Sequence, residues 1–340
     1  MNRQQDKGRT TMNSDRKASA AGLRGRHRIV RALASALVVL SLCAATAELL
    51  LRFVVGLGNP ILIQADPDCE YILKPDQNVF RFFVHTRTNH YGMRSDEVPA
   101  VHEAGALRIL FVGDSITYGT TRVDQRDIFT EILHRDLRGL VNRPVEVLNA
   151  SAGAWAPDNE LSYLRSRGIF HADLVVLVLN NGDLTQPRAT VAEVGGDLPL
   201  KRPSTAIGEF CTRYIRPRMI HWLRHNDAGD NMVANADRIT RENLADLDSI
   251  EQLVSSQGAR LIVAYIPFRR DIPEPASGAE TSFKIWAAAH QVAMLDLTAA
   301  ERPYNAKDIT LDNGVHFNTK GNLIVAHAME QAWPQVVGSH

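Results

Sequence analysis

The stretch Leu107-Arg108-Ile109-Leu110-Phe111-Val112-Gly113-Asp114-Ser115-Ile116-Thr117-Tyr118-Gly119 decides the architecture of this chain. Apart from Arg108, its first six residues form an apolar run too short for a helix, which reads as a strand buried on both faces. Gly113 and Asp114 then break the run, and Asp114 or Ser115 can cap a short helix behind them. A hydroxyl at the carboxyl end of a buried strand lies where open α/β sheets place their ligands.

Further strands are expected at 145–150 (VEVLNA), 173–180 (DLVVLVLN), 260–267 (RLIVAYIP) and 292–297 (VAMLDL). Helical patterns fall between them at 127–139, 158–168 and 237–257, with a last one near 319–332. Short apolar strands alternating with helices argue for a parallel sheet with crossover helices. The expectation is an α/β domain over 107–335, with a five-stranded parallel sheet between two helical layers. More than fifty residues separate the third strand from the helix near Arg238. Loops of that length are functional or carry structure of their own. The insertion at about 184–236 therefore reads as a partly helical cap over the site, or as a surface excursion.

Upstream, residues 58–106 contain prolines and short mixed runs, and read as an irregular lead-in packed on the domain. Residues 1–28 read as a basic cytoplasmic tail, with Arg16, Lys17, Arg24, Arg26 and Arg28 ahead of an apolar segment at 29–57. A basic flank before an apolar run is a membrane-targeting pattern. Two readings stand: one transmembrane signal-anchor helix, or a signal peptide cleaved after Ala45-Thr46-Ala47. Either keeps the Arg-rich end inside and places everything after it outside the cytoplasm, in a periplasm-like compartment. Membrane attachment through this helix is the partner expected at the N-terminus.

Of 340 residues, 45% are hydrophobic, enough for a large core, and 38 basic residues balance 38 acidic ones. That balance gives no electrostatic case for nucleic acid. The chain has three cysteines. Cys43 lies in the apolar segment, and Cys69 and Cys211 could pair in an oxidising compartment or remain buried thiols. No Gly-x-Gly-x-x-Gly, phosphate loop or His-Glu-x-x-His occurs, so nothing calls for a metal, nucleotide or other cofactor.

A serine hydroxyl is a weak nucleophile until a base takes its proton. Among twelve histidines, His316 stands apart, in Asp312-Asn313-Gly314-Val315-His316-Phe317-Asn318 just before the C-terminal helix. The paired blocks GDSITYG and DNGVHFN resemble the first and last conserved blocks of GDSL (SGNH) hydrolases, over roughly residues 107–332, in their membrane-anchored bacterial type. That resemblance implies a flavodoxin-like α/β/α sandwich with strand order 2-1-3-4-5, and esterase or acyltransferase chemistry on acylated carbohydrate or small ester substrates. It also implies Ser115 as nucleophile, His316 as base, and an oxyanion hole from Ser115, Gly153 and an Asn after the third strand. Asn181 is the choice for that Asn, with Asn180 second. The family sets its acid three residues before the His, where this chain has Asn313. Asp312, one further back, is the expected acid, with a Ser-His dyad as the alternative.

Asn89-His90-Tyr91-Gly92-Met93-Arg94 resembles a segment found ahead of the catalytic block in membrane-anchored members, and is expected either to lean over the site or to pack plainly. Trp155 and Trp222 are expected as buried or rim aromatics, with sugar stacking as the other reading. The departures at Asn181 and Asn313 also admit a second class of protein, a membrane-tethered glycan-binding protein with a degraded site.

Overall fold

The computed structural model describes residues 29–99, 105–194, 198–216, 235–269, 278–311 and 314–337. They fall into two compact units, Met1–Val54 and Val55–His340. Helix α1 (Ile29–Val55) is the one helix among the described residues long and apolar enough to cross a membrane. Its 27 residues extend about 40 Å at about 1.5 Å each, against a hydrocarbon core of about 30 Å. The two charges near its C-terminal end meet one turn apart, Arg52 Nη2 lying 2.7 Å from Glu48 Oε1.

The second unit opens with two antiparallel hairpins, β1 (Ile63–Asp66) with β2 (Glu70–Leu73), and β3 (Asn78–Arg81) with β4 (Val84–Arg87). The lead-in is therefore more regular than its mixed sequence suggested. Then come β5 (Leu107–Gly113), α2 (Ser115–Tyr118), α3 (Phe129–Leu140), β6 (Val145–Ser151), α4 (Pro157–Arg167) and β7 (Leu174–Leu179). After one-turn helices at Val191–Val194 and Ala206–Glu209, the chain continues through α5 (Ala236–Ser256), β8 (Arg260–Tyr265), α6 (Gly278–Ala289), β9 (Ala293–Asp296) and α7 (Thr319–Val337).

The five long strands pair in parallel in the order β6-β5-β7-β8-β9. In chain order this is 2-1-3-4-5, the expected flavodoxin-like arrangement. Every residue of β5 and β7 is buried, because helices cover both faces of the sheet. Strand alternation sorts the side chains: Leu110 and Val112 join Leu161, Leu247, Ile250 and Phe283 on one face. Ile109 and Phe111 join Phe129, Leu133, Val325 and Met329 on the other. Helices α4, α5 and α6 thus form one layer, and α3 and α7 the opposite one.

The first hairpin is part of this core, since Ile63, Cys69 and Tyr71 belong to the α4-side cluster. Cys69 and Cys211 are both free thiols, the first buried and the second exposed, so the possible pairing is not made. Burial and the nearby Asp66 push the Cys69 thiol up to about 12.

Glu301 is fully buried, and neither carboxylate oxygen has a hydrogen-bond partner among the described residues. Burial lifts its pKa from 4.5 to about 8, with Arg269 opposing and Asp296 adding to the effect. The folded state then holds a proton that the unfolded chain releases above about pH 4.5, so this group costs stability progressively as pH rises towards 8. Glu301→Gln is expected to gain thermal stability relative to the wild type across that window, in melting curves recorded from pH 4 to pH 8. A stability difference independent of pH would contradict the assignment.

Candidate active site

The nucleophile turn is fixed by backbone sterics. A Cβ on Gly113 would lie 2.2 Å from Thr117 Oγ1, so only glycine lets β5 run directly into α2. Gly119 ends α2 in the left-handed region at φ 78°, with its N–H donating to Ser115 O. Asp114 caps α2 by accepting from Ile116 N–H at 2.8 Å. Asn149 on β6 donates to Thr117 O at 2.8 Å and Thr130 Oγ1 at 3.0 Å, tying α2 to the neighbouring strand and to α3.

His316 arrives on a pinched loop before α7. Thr310 and Phe317 form an antiparallel bridge, Leu311 N–H donates to His316 O at 2.7 Å, and Asn318 N–H to Ile309 O at 3.0 Å. Asn322 on α7 accepts from Phe129 N–H at the start of α3, at 3.0 Å, which ties the C-terminal helix to α3. His316 Nε2 then lies 2.9 Å from Ser115 Oγ. With the ring proton on Nδ1, the hydroxyl donates to Nε2, the arrangement a general base requires. Asp312 and Asn313 lie outside the described residues.

Gly153 follows β6 in a turn closed by Trp155 N–H donating to Ala152 O at 3.3 Å. Ala154 takes the third position of that turn at φ 66°, a conformation that glycine adopts at no cost and alanine does not. Tyr71 on β2 holds the turn, its hydroxyl donating to Gly153 O at 2.7 Å, while Trp155 Nε1–H returns a bond to Tyr71 O at 3.1 Å. Trp155 is 1% exposed and so offers no face to a sugar. Trp222 lies outside the described residues. The N–H groups of Ser115 and Gly153 make no intramolecular hydrogen bond among the described residues.

The two asparagines after β7 have different partners. Asn180 is committed, donating from Nδ2 to Asp114 Oδ2 at 3.1 Å and accepting from Gly182 N–H at 2.7 Å. Asn181 accepts from Phe268 N–H at 2.8 Å through its carbonyl oxygen, and its amino group has no partner among the described residues.

Beneath the nucleophile lie groups that the sequence did not single out. Asp114, Glu160 and Asp183 are all buried, and burial pushes each carboxyl above its ordinary range. For Asp114 the Ile116 N–H, His316 and the Asn180 amide act against that rise. Both oxygens of Glu160 lack a hydrogen-bond partner among the described residues. Nothing in a local sequence pattern separates such an acid from a surface one.

The Asn89–Arg94 segment also gains a definite place. Asn89 Oδ1 accepts from Tyr91 N–H and Met93 N–H, and Gly92 takes φ 77° with no room for a Cβ beside Leu73 O. Arg94, at 0% exposure, donates to Tyr118 O at 2.7 Å, Thr120 O at 2.5 Å and Val123 O at 2.7 Å. It therefore gathers the carbonyls of the strap that follows the nucleophile helix.

Ser115, Gly153 and His316 line one cavity of about 830 Å³, within the usual range for small-molecule sites. Its apolar wall includes Ile61, Ala189, Val194 and Leu198, and its charged lining, among the described residues, consists of Arg81, Arg122 and Arg213. From the long insertion, Gln186, Pro187, Ala189, Val194, Leu198, Arg213 and Tyr214 line the cavity.

No family model and no curated protein matches the chain. Among solved structures, it is similar to an α/β hydrolase from the metagenome of Lake Arreo, Spain, at 14% identity and a TM-score of 0.43, covering 68% of this chain and 97% of that one. A member of the lipolytic protein G-D-S-L family from Veillonella parvula matches at 14% identity and a TM-score of 0.41, covering 67% and 99%. An acetylxylan esterase from Geobacillus stearothermophilus matches at 14% identity and a TM-score of 0.41, covering 69% and 95%.

Replacing Arg94 by Lys keeps the charge but removes the planar fork that reaches three carbonyls at once. At about 1–3 kcal/mol per buried acceptor left unpaired, Arg94→Lys is expected to destabilise the fold by several kcal/mol. Urea unfolding measures this directly, and a loss below about 0.5 kcal/mol would contradict the clamp.

Proposed function

We propose that this protein is a membrane-anchored serine esterase of the GDSL (SGNH) type, acting by hydrolysis or acyl transfer on an ester substrate outside the cytoplasm. The observation that carries this reading is the 2.9 Å contact between Ser115 Oγ and His316 Nε2 at the wall of the large cavity. A nucleophilic serine requires such a partner to take its proton.

In the proposed reaction His316 takes the hydroxyl proton as Ser115 attacks the ester carbonyl. The oxyanion rests on the N–H groups of Ser115 and Gly153 and on the Asn181 amide, each without another hydrogen-bond partner among the described residues. Donors held in place before the charge develops give the largest share of such catalysis. His316 then protonates the leaving alcohol, and water or an acceptor hydroxyl resolves the acyl-enzyme. Asp312 is proposed as the acid that orients His316. The acyl group is assigned to the apolar wall near Gly153, where Leu198 Cδ1 would lie 3.0 Å from a Cβ on that glycine. The cavity volume exceeds that of an acetyl group, leaving room for a carbohydrate or lipid alcohol portion. Helix α1, with the basic residues ahead of it, is proposed to hold the domain on the outer face of the membrane.

Ser115→Ala and His316→Ala are each expected to lower kcat on a short-chain acyl ester by about 10³-fold or more, with the melting temperature little changed. Retention of wild-type turnover by folded Ser115→Ala protein would sink the proposal.

A further inference from the structure

The charged lining of the cavity has one sign. Arg81, Arg122 and Arg213 border it, and no carboxylate does so among the described residues. Arg81 and Arg213 both contact Glu209, at 2.5 Å and 3.3 Å, and that carboxylate is 1% exposed. Burial acts to raise Glu209, but the Arg81 guanidinium and the Gly58 N–H outweigh it and hold the carboxyl below its ordinary range. This part of the lining is a braced ion pair.

Arg122 differs from both. It is exposed, its side chain makes no hydrogen bond or ion pair among the described residues, and it lies seven positions after the nucleophile. The nearest acid in sequence, Asp124, is already engaged by His85 N–H at 3.0 Å and by the Arg126 side chain at 3.3 Å. Arg122 also does not sit on a loose loop. Gly119 and Thr120 both take positive φ, 78° and 60°, and a β-branched residue in that region is strained. The Arg94 clamp on Tyr118 O and Thr120 O holds the strained segment, and Arg122 N–H donates to Thr120 Oγ1 at 3.3 Å. Backbone strain that the surroundings over-determine, beside a cavity, points to a conformation kept for function.

We infer that Arg122 is a specificity-determining residue that recognises an anionic group on the alcohol portion of the ester, so that the substrate class is an ester of a carboxylate- or phosphate-bearing alcohol. This rests on the esterase reading above. A guanidinium on a rigid strap meets a planar carboxylate or a phosphate with two parallel hydrogen bonds. It does so beside the nucleophile, on a cavity lining where, among the described residues, no carboxylate competes for the guanidinium. An acidic sugar or a phosphorylated headgroup supplies the same chemistry.

The test uses the full chain in detergent with matched aryl acetates. Methyl 4-acetoxybenzoate is the neutral ester, 4-acetoxybenzoate carries a carboxylate on the leaving alcohol, and 4-acetoxyphenyl phosphate carries a phosphate. The ratio of kcat/KM for each anionic ester to that for the neutral one is expected to fall about tenfold in Arg122→Gln, the worth of one charge-assisted contact, and to be largely kept in Arg122→Lys. Raising salt from about 0.05 to about 0.5 M is expected to lower the same ratio in the wild type. The larger effect between the carboxylate and phosphate arms identifies the anion. Equal ratios in wild type and Arg122→Gln, or an equal loss in Arg122→Lys and Arg122→Gln, would overturn the inference while Ser115-dependent turnover of the neutral ester keeps the esterase reading. Absence of Ser115-dependent turnover of all three esters would overturn both.

Discussion

A single hydrogen bond, 2.9 Å between Ser115 and His316, joins residues 201 positions apart, and most of the fold can be understood as what holds those two atoms together. The serine is delivered by the second strand in the spatial order of the sheet, the histidine by the loop ahead of the last helix. A parallel sheet puts all its carboxyl ends on one side. That geometry lets a first strand and a last loop meet without any local sequence contact. The close contacts at Gly113 and Gly119 fix the serine end, and the Thr310–Phe317 bridge with the Leu311 to His316 backbone bond fixes the histidine end.

The underside of the site is polar and buried. Asp114 links the α2 cap to Asn180, while Glu160 and Asp183 lie buried with their carboxyls raised well above the ordinary range. The opposite side of the turn is held by Arg94, whose guanidinium answers three carbonyls that otherwise would be buried without donors. Asn149 completes the frame from β6. The turn is therefore held from its cap, its flank and its exit strap.

The sheet was legible in the sequence because its strands are buried on both faces and read as unbroken apolar runs; β7, LVVLVL, is the clearest. The two lead-in hairpins were not, because four-residue strands such as Ile63–Asp66 expose half their side chains and carry no period long enough to count. Helix α6 was missed for a related reason: GAETSFKIWAAA is short and weakly patterned. Ser115 and His316 were legible because each sits in a distinctive block. Arg94 and Tyr71 were not legible as parts of the frame, since their partners lie up to 82 positions away in sequence and only the folded chain brings them together. Asn180 and Asn181 differ in their side-chain partners, Asp114 and Gly182 for the first and Phe268 for the second, and spacing does not encode that difference.

The reactivity of Ser115 is the centre of the account, and covalent labelling with a fluorophosphonate measures it most directly. An activated serine attacks phosphorus, and an ordinary hydroxyl does not. Mass spectrometry of the labelled full-length chain is predicted to place the adduct on Ser115, with labelling abolished in Ser115→Ala and strongly slowed in His316→Ala. A folded wild-type chain that takes no label at Ser115, or that labels equally fast without His316, would contradict it.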